Sequence, residues 1–272
     1  MKNKISKYSF LFLLLLAVFL VSSCDFFTNS VLSFAARDTA ETVKSTPTNA
    51  LVSAGSNPSV VGDQNMAQTY LEELGNRPED LENLKTEEAE NVMNLATAAL
   101  LPVSNFQSIL DSMVDNGNQE GGEGENPEQN NNNILASILD SIPSVDTTAL
   151  EKVLENEKTV QEADISTTAM ATISLLGSAI KTEANEGDTT QLFGQITQNL
   201  GRDAVKNAET TEDKVNAVLQ GTGASEDNTA LKTAIAAALV ISQREDLSSL
   251  SIGGFDLGQL FGVQTDNGQN NG

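Results

Sequence analysis

The sequence predicts an all-α fold, an irregular multi-helix bundle of short to medium helices. The first observation is that apolar residues recur at intervals of three and four over several stretches, the period of one helix face. The second is that Ser, Thr, Asp or Asn precedes several of these stretches, where an N-cap belongs. The third is that no stretch alternates apolar and polar residues for long enough to form a sheet.

The first 23 residues have the organisation of a secretory signal peptide. Lys2, Lys4 and Lys7 precede an uncharged apolar run over residues 10–21, and small residues follow it. The run is about half the length of the roughly 20 apolar residues that a permanent transmembrane helix needs. We therefore expect residues 1–23 to be a signal peptide rather than a membrane span.

The end of this segment, Val21-Ser22-Ser23-Cys24, resembles the lipobox of bacterial lipoproteins. The resemblance implies cleavage between Ser23 and Cys24 and attachment of palmitate-type acyl chains at Cys24, which would hold the mature protein on a membrane. Stable anchoring takes more than one acyl chain, as a diacylglyceryl group supplies. Cys24 is the only cysteine, so no disulfide forms within the chain. The alternative is an ordinary signal peptide with an incidental cysteine nearby.

The residue after the cysteine, Asp25, bears on which membrane holds the anchor. In enteric bacteria it resembles an inner-membrane retention signal, a rule that other phyla do not share. The sequence is consistent with a lipid anchor in the cell membrane or the outer membrane, and with exposure to the periplasm or the cell surface.

The chain is strongly acidic, with a formal charge of −23. Because residues 1–23 carry three lysines and no acidic residue, the chain from Cys24 onward holds 12 basic and 38 acidic residues, a charge of −26. This charge argues against nucleic acid as a partner, since phosphate contacts need clustered Lys and Arg. It also argues against a body lying flat on anionic lipid. The sequence has no histidine, the commonest general base and metal ligand.

We predict that the mature chain begins with a lipidated N-terminus and flexible tether over residues 24–65. Within it, one short helix is expected over about 29–44, and a loop over 45–64 that is rich in Ser, Thr, Asn, Gly and Pro. A helical body follows over 66–252, and a Gly- and Asn-rich tail over 253–272 ends the chain.

The middle of the body contains a polar stretch, residues 116–133. It holds no aliphatic or aromatic side chain, so it cannot offset the entropy of ordering and is predicted to be a disordered loop. The pentapeptide Ser-Ile-Leu-Asp-Ser occurs on both sides of it, at 108–112 and at 137–141. This echo is either a duplicated helix or a chance similarity. The loop itself either separates two domains or interrupts one.

Before this loop, helices are predicted over 66–74, from Thr86 as N-cap to Leu100, and from Pro102 onward. After it, capping boxes are expected at Thr148 with Glu151 and at Thr159 with Glu162. Further helices are expected over about 165–184, from Asp188 to Gly201, over 211–220 and from Asp227 onward. The last contains the apolar run 234–241, which predicts burial on most sides and a place at the centre of the C-terminal core. The apolar residues of 250–263 predict either a segment that closes over this core or an exposed patch for a partner.

Candidate chemistry is sparse. Ser178 and Lys181 match the Ser-x-x-Lys pattern of penicillin-recognising enzymes, but their other two motifs are absent and Ser178 falls late in its helix, so a structural role is favoured. The acidic pairs 72–73 and 87–88 cannot share a helix face at adjacent positions. Residues 115–120 offer oxygen ligands without the glycine that a calcium loop needs at its sixth position, which predicts at most weak, nonspecific cation binding.

These patterns predict no catalytic residue, no cofactor and no specific metal site. By exclusion, they favour a non-enzymatic binding or scaffolding role at the cell envelope, with a protein partner that the sequence does not identify. The alternative is an accessory subunit of an envelope transport or assembly complex that docks through its helical face. An enzyme whose acidic pair or Ser–Lys pair is brought together only by folding is a third hypothesis.

Overall fold

The computed structural model describes residues 40–101, 142–183 and 189–249, together with 251–252, 255–256 and 261. The chain divides into two compact units, Met1–Ser45 and Thr46–Gly272. In the first unit, the described residues form helix α1, Ala40–Lys44. This helix occupies the end of the stretch, about 29–44, over which the sequence predicts a short helix; the rest of that stretch lies outside the described residues.

The described residues of the second unit are mainly helical, which confirms the all-α class. The helices are α2 (Thr48–Ser53), α3 (Pro58–Val61), α4 (Gln64–Gly75), α5 (Thr86–Leu100), α6 (Thr148–Leu154), α7 (Glu157–Glu162), α8 (Ile165–Glu183), α9 (Thr189–Leu200), α10 (Asp203–Lys206), α11 (Thr211–Thr222) and α12 (Thr229–Ile241). Short 3-10 helices occur at Ala54–Ser56, Pro78–Leu81 and Glu245–Ser249. The two-residue strands β1 (Ser251–Ile252) and β2 (Phe255–Asp256) pair antiparallel after them.

The prediction of a loop over 45–64 is wrong. Helices α2 and α3 and the turn between them lie in this stretch, and α2 and the turn pack against α5. Leu51 and Val52 are only 0% and 2% exposed. The composition was misleading because polar residues and Pro start helices as well as loops: the Asn57 side chain accepts a hydrogen bond from Ser59 N at 3.0 Å, and Pro58 occupies the first helical position, where Pro is tolerated.

Residues 46–65 of the predicted tether therefore belong to the folded unit. Their backbone comes very close to the rest of it at Gly55, where a Cβ would lie 1.8 Å from the carbonyl oxygen of Asn91 in α5. Only a residue without a side chain fits there, so the turn and α5 touch backbone to backbone. Residues 24–39 of the tether lie outside the described residues, and the division of the chain into segments as a whole stays a prediction.

The core is organised around α5, α8 and α12. Helix α5 packs against α4 and α8, and α8 packs against α12. The apolar stripe predicted for α5 is confirmed, since its members are all buried: Ala89, Val92, Met93, Ala96, Ala99 and Leu100. Residues 171–180 of α8 are buried on every side, as are most residues of the apolar run 234–241. The all-round burial expected for that run is therefore confirmed, and α8 shares its central position.

The predicted helix spans are close to the observed ones, but the caps are displaced. Thr86, Thr148, Thr159 and Asp227 are expected as caps, whereas the residues before the observed helices are Lys85, Thr147, Asn156 and Asn228. The Asn156 side chain accepts from Thr159 N at 3.2 Å, and Thr159 lies buried inside α7. Neighbouring polar residues compete for a cap, and local sequence does not decide between them.

Several expectations concern residues outside the described ranges. They are the signal peptide, Asp188, the helix after Pro102, the loop 116–133, both copies of the pentapeptide and most of the tail. In the apolar segment 250–263, Phe261 is 3% exposed and Ile252 pairs with Phe255.

Candidate functional site

The candidate site is a groove of about 280 Å³ in the second unit. One wall is the corner where α6 passes into α7, a second is the first half of α11, and the third is one side of α12. The volume is close to the lower limit of small-molecule pockets, which are roughly 300–1,000 Å³. The groove is therefore large enough for a few ligand groups rather than a large cofactor.

The floor of the groove is apolar. It is formed by Leu154 of α6, Val215 of α11 and three residues of α12, Ala236, Ala237 and Val240. Four of these five side chains are buried, and Ala236 is half-buried at the surface. Because alanine ends at Cβ, the two alanines leave room that larger side chains on α12 would fill.

The rim of the groove is acidic. Glu155, Glu157 and Glu212 line it and are exposed. Glu155 Oε2 accepts a hydrogen bond of 2.8 Å from Lys152 Nζ, which raises the pKa of Lys152. Among the described residues, Glu157 and Glu212 have no cation within 4.0 Å. Glu157 Oε1 accepts a hydrogen bond of 3.1 Å from the neutral Gln161 Nε2. The negative charges of both carboxylates are therefore not neutralised by a described residue.

Two polar residues of α12 lie in the wall between floor and rim. Lys232 is half-buried, and no carboxylate of the described part of the chain approaches its Nζ within 4.0 Å. Thr233 is 7% exposed and also lines the groove. A threonine hydroxyl can donate and accept hydrogen bonds, so Thr233 can contact a polar group that enters the groove.

Side-chain caps position the helices that form the walls. Helix α7 is capped by Asn156, α11 by Thr210, whose Oγ1 accepts from Asp213 N at 3.1 Å, and α12 by Asn228, whose Oδ1 accepts from Leu231 N at 2.9 Å. Asn228 Nδ2 also donates to Glu183 Oε2 at 3.2 Å, which ties the start of α12 to the end of α8. The groove is thus built on fixed helix ends.

Arg244 holds the other end of α7. Its guanidinium donates to the carbonyl oxygens of Val160 and Ala163 at 2.9 and 2.8 Å, and to Asp246 Oδ2 at 2.6 Å. The Arg244 side chain is only 14% exposed, and its hydrogen bond to Asp246 lowers the pKa of that carboxyl. These contacts and the Asn156 cap hold both ends of α7, the helix whose first residue is Glu157.

The sequence-predicted site residues lie elsewhere. Ser23 and Cys24 are outside the described residues. Ser178 is buried near the end of α8, as its late position in the predicted helix indicated, and Lys181 Nζ donates to the carbonyl oxygen of Ile142 at 2.7 Å. That bond directs the amine to a backbone carbonyl, which gives Lys181 a structural contact between α8 and the segment before α6.

The acidic pairs are also separated by their contacts. Glu73 forms an ion pair of 2.6 Å with Arg77, and Glu88 accepts from Lys85 N at 2.9 Å, while Glu72 and Glu87 are exposed. No group of three or more metal-ligating side chains occurs in the part of the chain that the structure describes. The oxygen-rich stretch 115–120 is outside that part.

Sequence reasoning did not identify the groove. Glu157 and Glu212 occur in the first turns of α7 and α11, where acidic residues are expected for the helix dipole alone. Ala236 and Ala237 belong to an apolar run whose pattern is typical of a buried helix, not of a binding site. Only the packing of α12 against α6, α7 and α11 brings these residues together.

A search of protein-family models, curated proteins and solved structures yields no match to this chain. Within the described ranges, no helix combines the length and the apolar character that crossing a membrane requires. Fold and site together define an all-α protein with an acid-rimmed, apolar groove.

Proposed function

We propose that this protein is a lipid-anchored, non-enzymatic binding protein of the bacterial cell envelope, and that the groove is its binding site. The observation that carries the proposal is the order of features at the start of the chain: three lysines, a short apolar run and Val21-Ser22-Ser23-Cys24. A lone cysteine directly after such a run is accounted for by acylation, because its sulfur then holds lipid and is no free thiol.

The groove supports the binding part of the proposal. An apolar floor with a few polar groups around it is the usual composition of a ligand site. Lys232 and Thr233 place hydrogen-bond donors in the wall, and among the described residues two rim carboxylates have no cation within 4.0 Å. Lys181, the one lysine in a Ser-x-x-Lys pattern, is bonded to a backbone carbonyl, which favours binding over acyl-transfer chemistry.

The anchor is tested by replacing Cys24. The full chain is produced in a bacterium that processes lipoproteins, with radiolabelled palmitate in the medium, and is partitioned between detergent and water. We expect the natural chain to carry label and enter the detergent phase. Cys24→Ser should lose the label and enter the aqueous phase, because the oxygen of serine forms no thioether.

The matched control is Ser23→Ala, which keeps a small residue before the cysteine and should partition as the natural chain does. A Cys24→Ser protein that remains labelled and in the detergent phase would show that the anchor lies elsewhere. If mild detergent extraction brings a stoichiometric integral membrane protein with the natural chain, the role of an accessory subunit is favoured instead.

A further inference from the structure

We infer that the groove receives a cationic, apolar segment of a partner protein, with Leu- or Ile-type side chains on the floor and Lys or Arg at the rim. This inference rests on the proposed function, since it names the ligand class of the same groove. It follows from three properties of the site: the apolar floor, the charge of the rim and the hydrogen-bond donors between them.

The charge of the rim selects a cation. The groove is lined by three carboxylates, Glu155, Glu157 and Glu212, and by one ammonium, Lys232. Glu157 and Glu212 have no cation within 4.0 Å among the described residues. The whole chain has a formal charge of −23, so its long-range field attracts a basic partner and repels an acidic one. An anion at Lys232 would approach against both local and overall charge.

The floor selects for apolar side chains. Val215, Ala237 and Val240 form an apolar surface at the bottom of the groove, and the half-buried Ala236 lies where this floor opens to solvent. Apolar area contributes about 25 cal/mol per Å² removed from water. A purely cationic partner would leave this apolar area exposed to water. A segment that combines cationic and apolar side chains therefore fits the groove better.

The donors in the wall fit a polypeptide backbone. The Thr233 hydroxyl and the Lys232 ammonium line the groove and can each donate to a carbonyl oxygen. Among the described residues, Lys232 has no carboxylate within 4.0 Å. A small ligand in a site of this size, with exposed glutamates around it, would remain partly in water, whereas good small-molecule sites bury about 70–90% of their ligand. A chain that continues beyond the groove gains further contacts outside it, which favours a protein segment.

The test measures binding of a fluorescein-labelled peptide of Leu and Lys residues to the full chain by fluorescence anisotropy in one nonionic detergent. Two further peptides replace every Lys by Glu or every Leu by Ser. The natural chain should bind the Leu–Lys peptide most tightly. Cys24→Ser should bind it equally well, so the result does not depend on the anchor.

Variants of the groove locate the binding. The double variant Glu157→Gln with Glu212→Gln should weaken binding of the Leu–Lys peptide roughly three- to tenfold, as expected for the loss of two exposed ion pairs. The matched control, Glu79→Gln with Glu87→Gln, removes the same charge from other first turns and should change binding less than twofold. Both pairs leave the side-chain shape intact, and circular dichroism checks that the fold is retained.

Filling the floor gives an independent measurement. The leucine side chain of Ala236→Leu occupies the open part of the floor and should weaken binding of the Leu–Lys peptide by roughly tenfold or more. Ala230→Leu, at another half-buried position of α12, is its control and should bind as the natural chain does. Equal losses in groove and control variants, equal binding of the Ser-containing peptide, or no binding up to about 1 mM would each overturn the inference.

Discussion

Replacing Gly55 by alanine tests whether the segment before α4 is part of the folded unit or a tether. In the structure a Cβ at this position would lie 1.8 Å from the carbonyl oxygen of Asn91 and 2.5 Å from its carbonyl carbon. Both atoms belong to the backbone of α5, so no side-chain rotation can relieve the clash. In a flexible tether the same substitution would meet nothing.

The magnitude follows from the movement that is needed. Ordinary contact begins at 3.4 Å, so the turn and α5 must separate by about 1.6 Å. Detaching the segment would expose Leu51 and Val52, at about 1.5–3 kcal/mol each. Overpacking costs about 1–3 kcal/mol and is the cheaper response, so the segment stays docked under strain. Alanine also lowers the entropy of the unfolded chain, which offsets about 0.4–1 kcal/mol of this cost. We therefore expect the free energy of unfolding to fall by about 2 kcal/mol.

The assay is urea unfolding of the full chain, followed by circular dichroism, with the natural chain and two glycine variants compared. Gly194→Ala is the matched control, because Gly194 is exposed inside α9 and a Cβ there meets nothing within 4 Å. It should stabilise the protein by about 0.5–1 kcal/mol, the helix preference of alanine over glycine. If Gly55→Ala unfolds within about 0.5 kcal/mol of the natural chain, the docking of the segment on α5 is refuted.

Two further predictions concern the fixed ends of α7 and α8. Arg244→Ala should lower the free energy of unfolding by about 1.5–3 kcal/mol, because two carbonyl oxygens lose a charged donor, whereas exposed Arg202→Ala should change it by less than about 0.5 kcal/mol in the same urea assay. Hydrogen bonds from Ser166 Oγ at 2.6 Å and Thr167 N at 2.8 Å lower the pKa of Asp164. The ionised carboxylate therefore stabilises the fold fully above the unfolded pKa, near 3.8, and this stabilisation is lost as the pH falls through the lower folded pKa. Asp164→Asn should therefore reduce the loss of stability between pH 5 and pH 2 in urea titrations. If the variant loses as much stability over this range as the natural chain, Asp164 is not the group responsible.

The fold could be predicted from the sequence as far as it depends on local patterns. The spacing of apolar residues in α5 and α8 predicted both helices to within about one residue at each end, since an apolar stripe and its ends are properties of consecutive residues. The caps were less predictable, because adjacent Thr, Asn and Asp compete for the same backbone donors. The loop over 45–64 was predicted wrongly because helices α2 and α3, of four to six residues, are too short to be stable alone.

The amino-acid sequence by itself determined the helical class, the acidic charge and the expectation of a lipid anchor, because these follow from composition and from neighbouring residues. Tertiary structure alone decided that Gly55 meets the backbone of α5. It also decided that Glu157 and Lys232, 75 positions apart in the sequence, line one groove. Such contacts arise from how preformed helices bury their apolar faces against each other, and that choice depends on the whole set of helices at once.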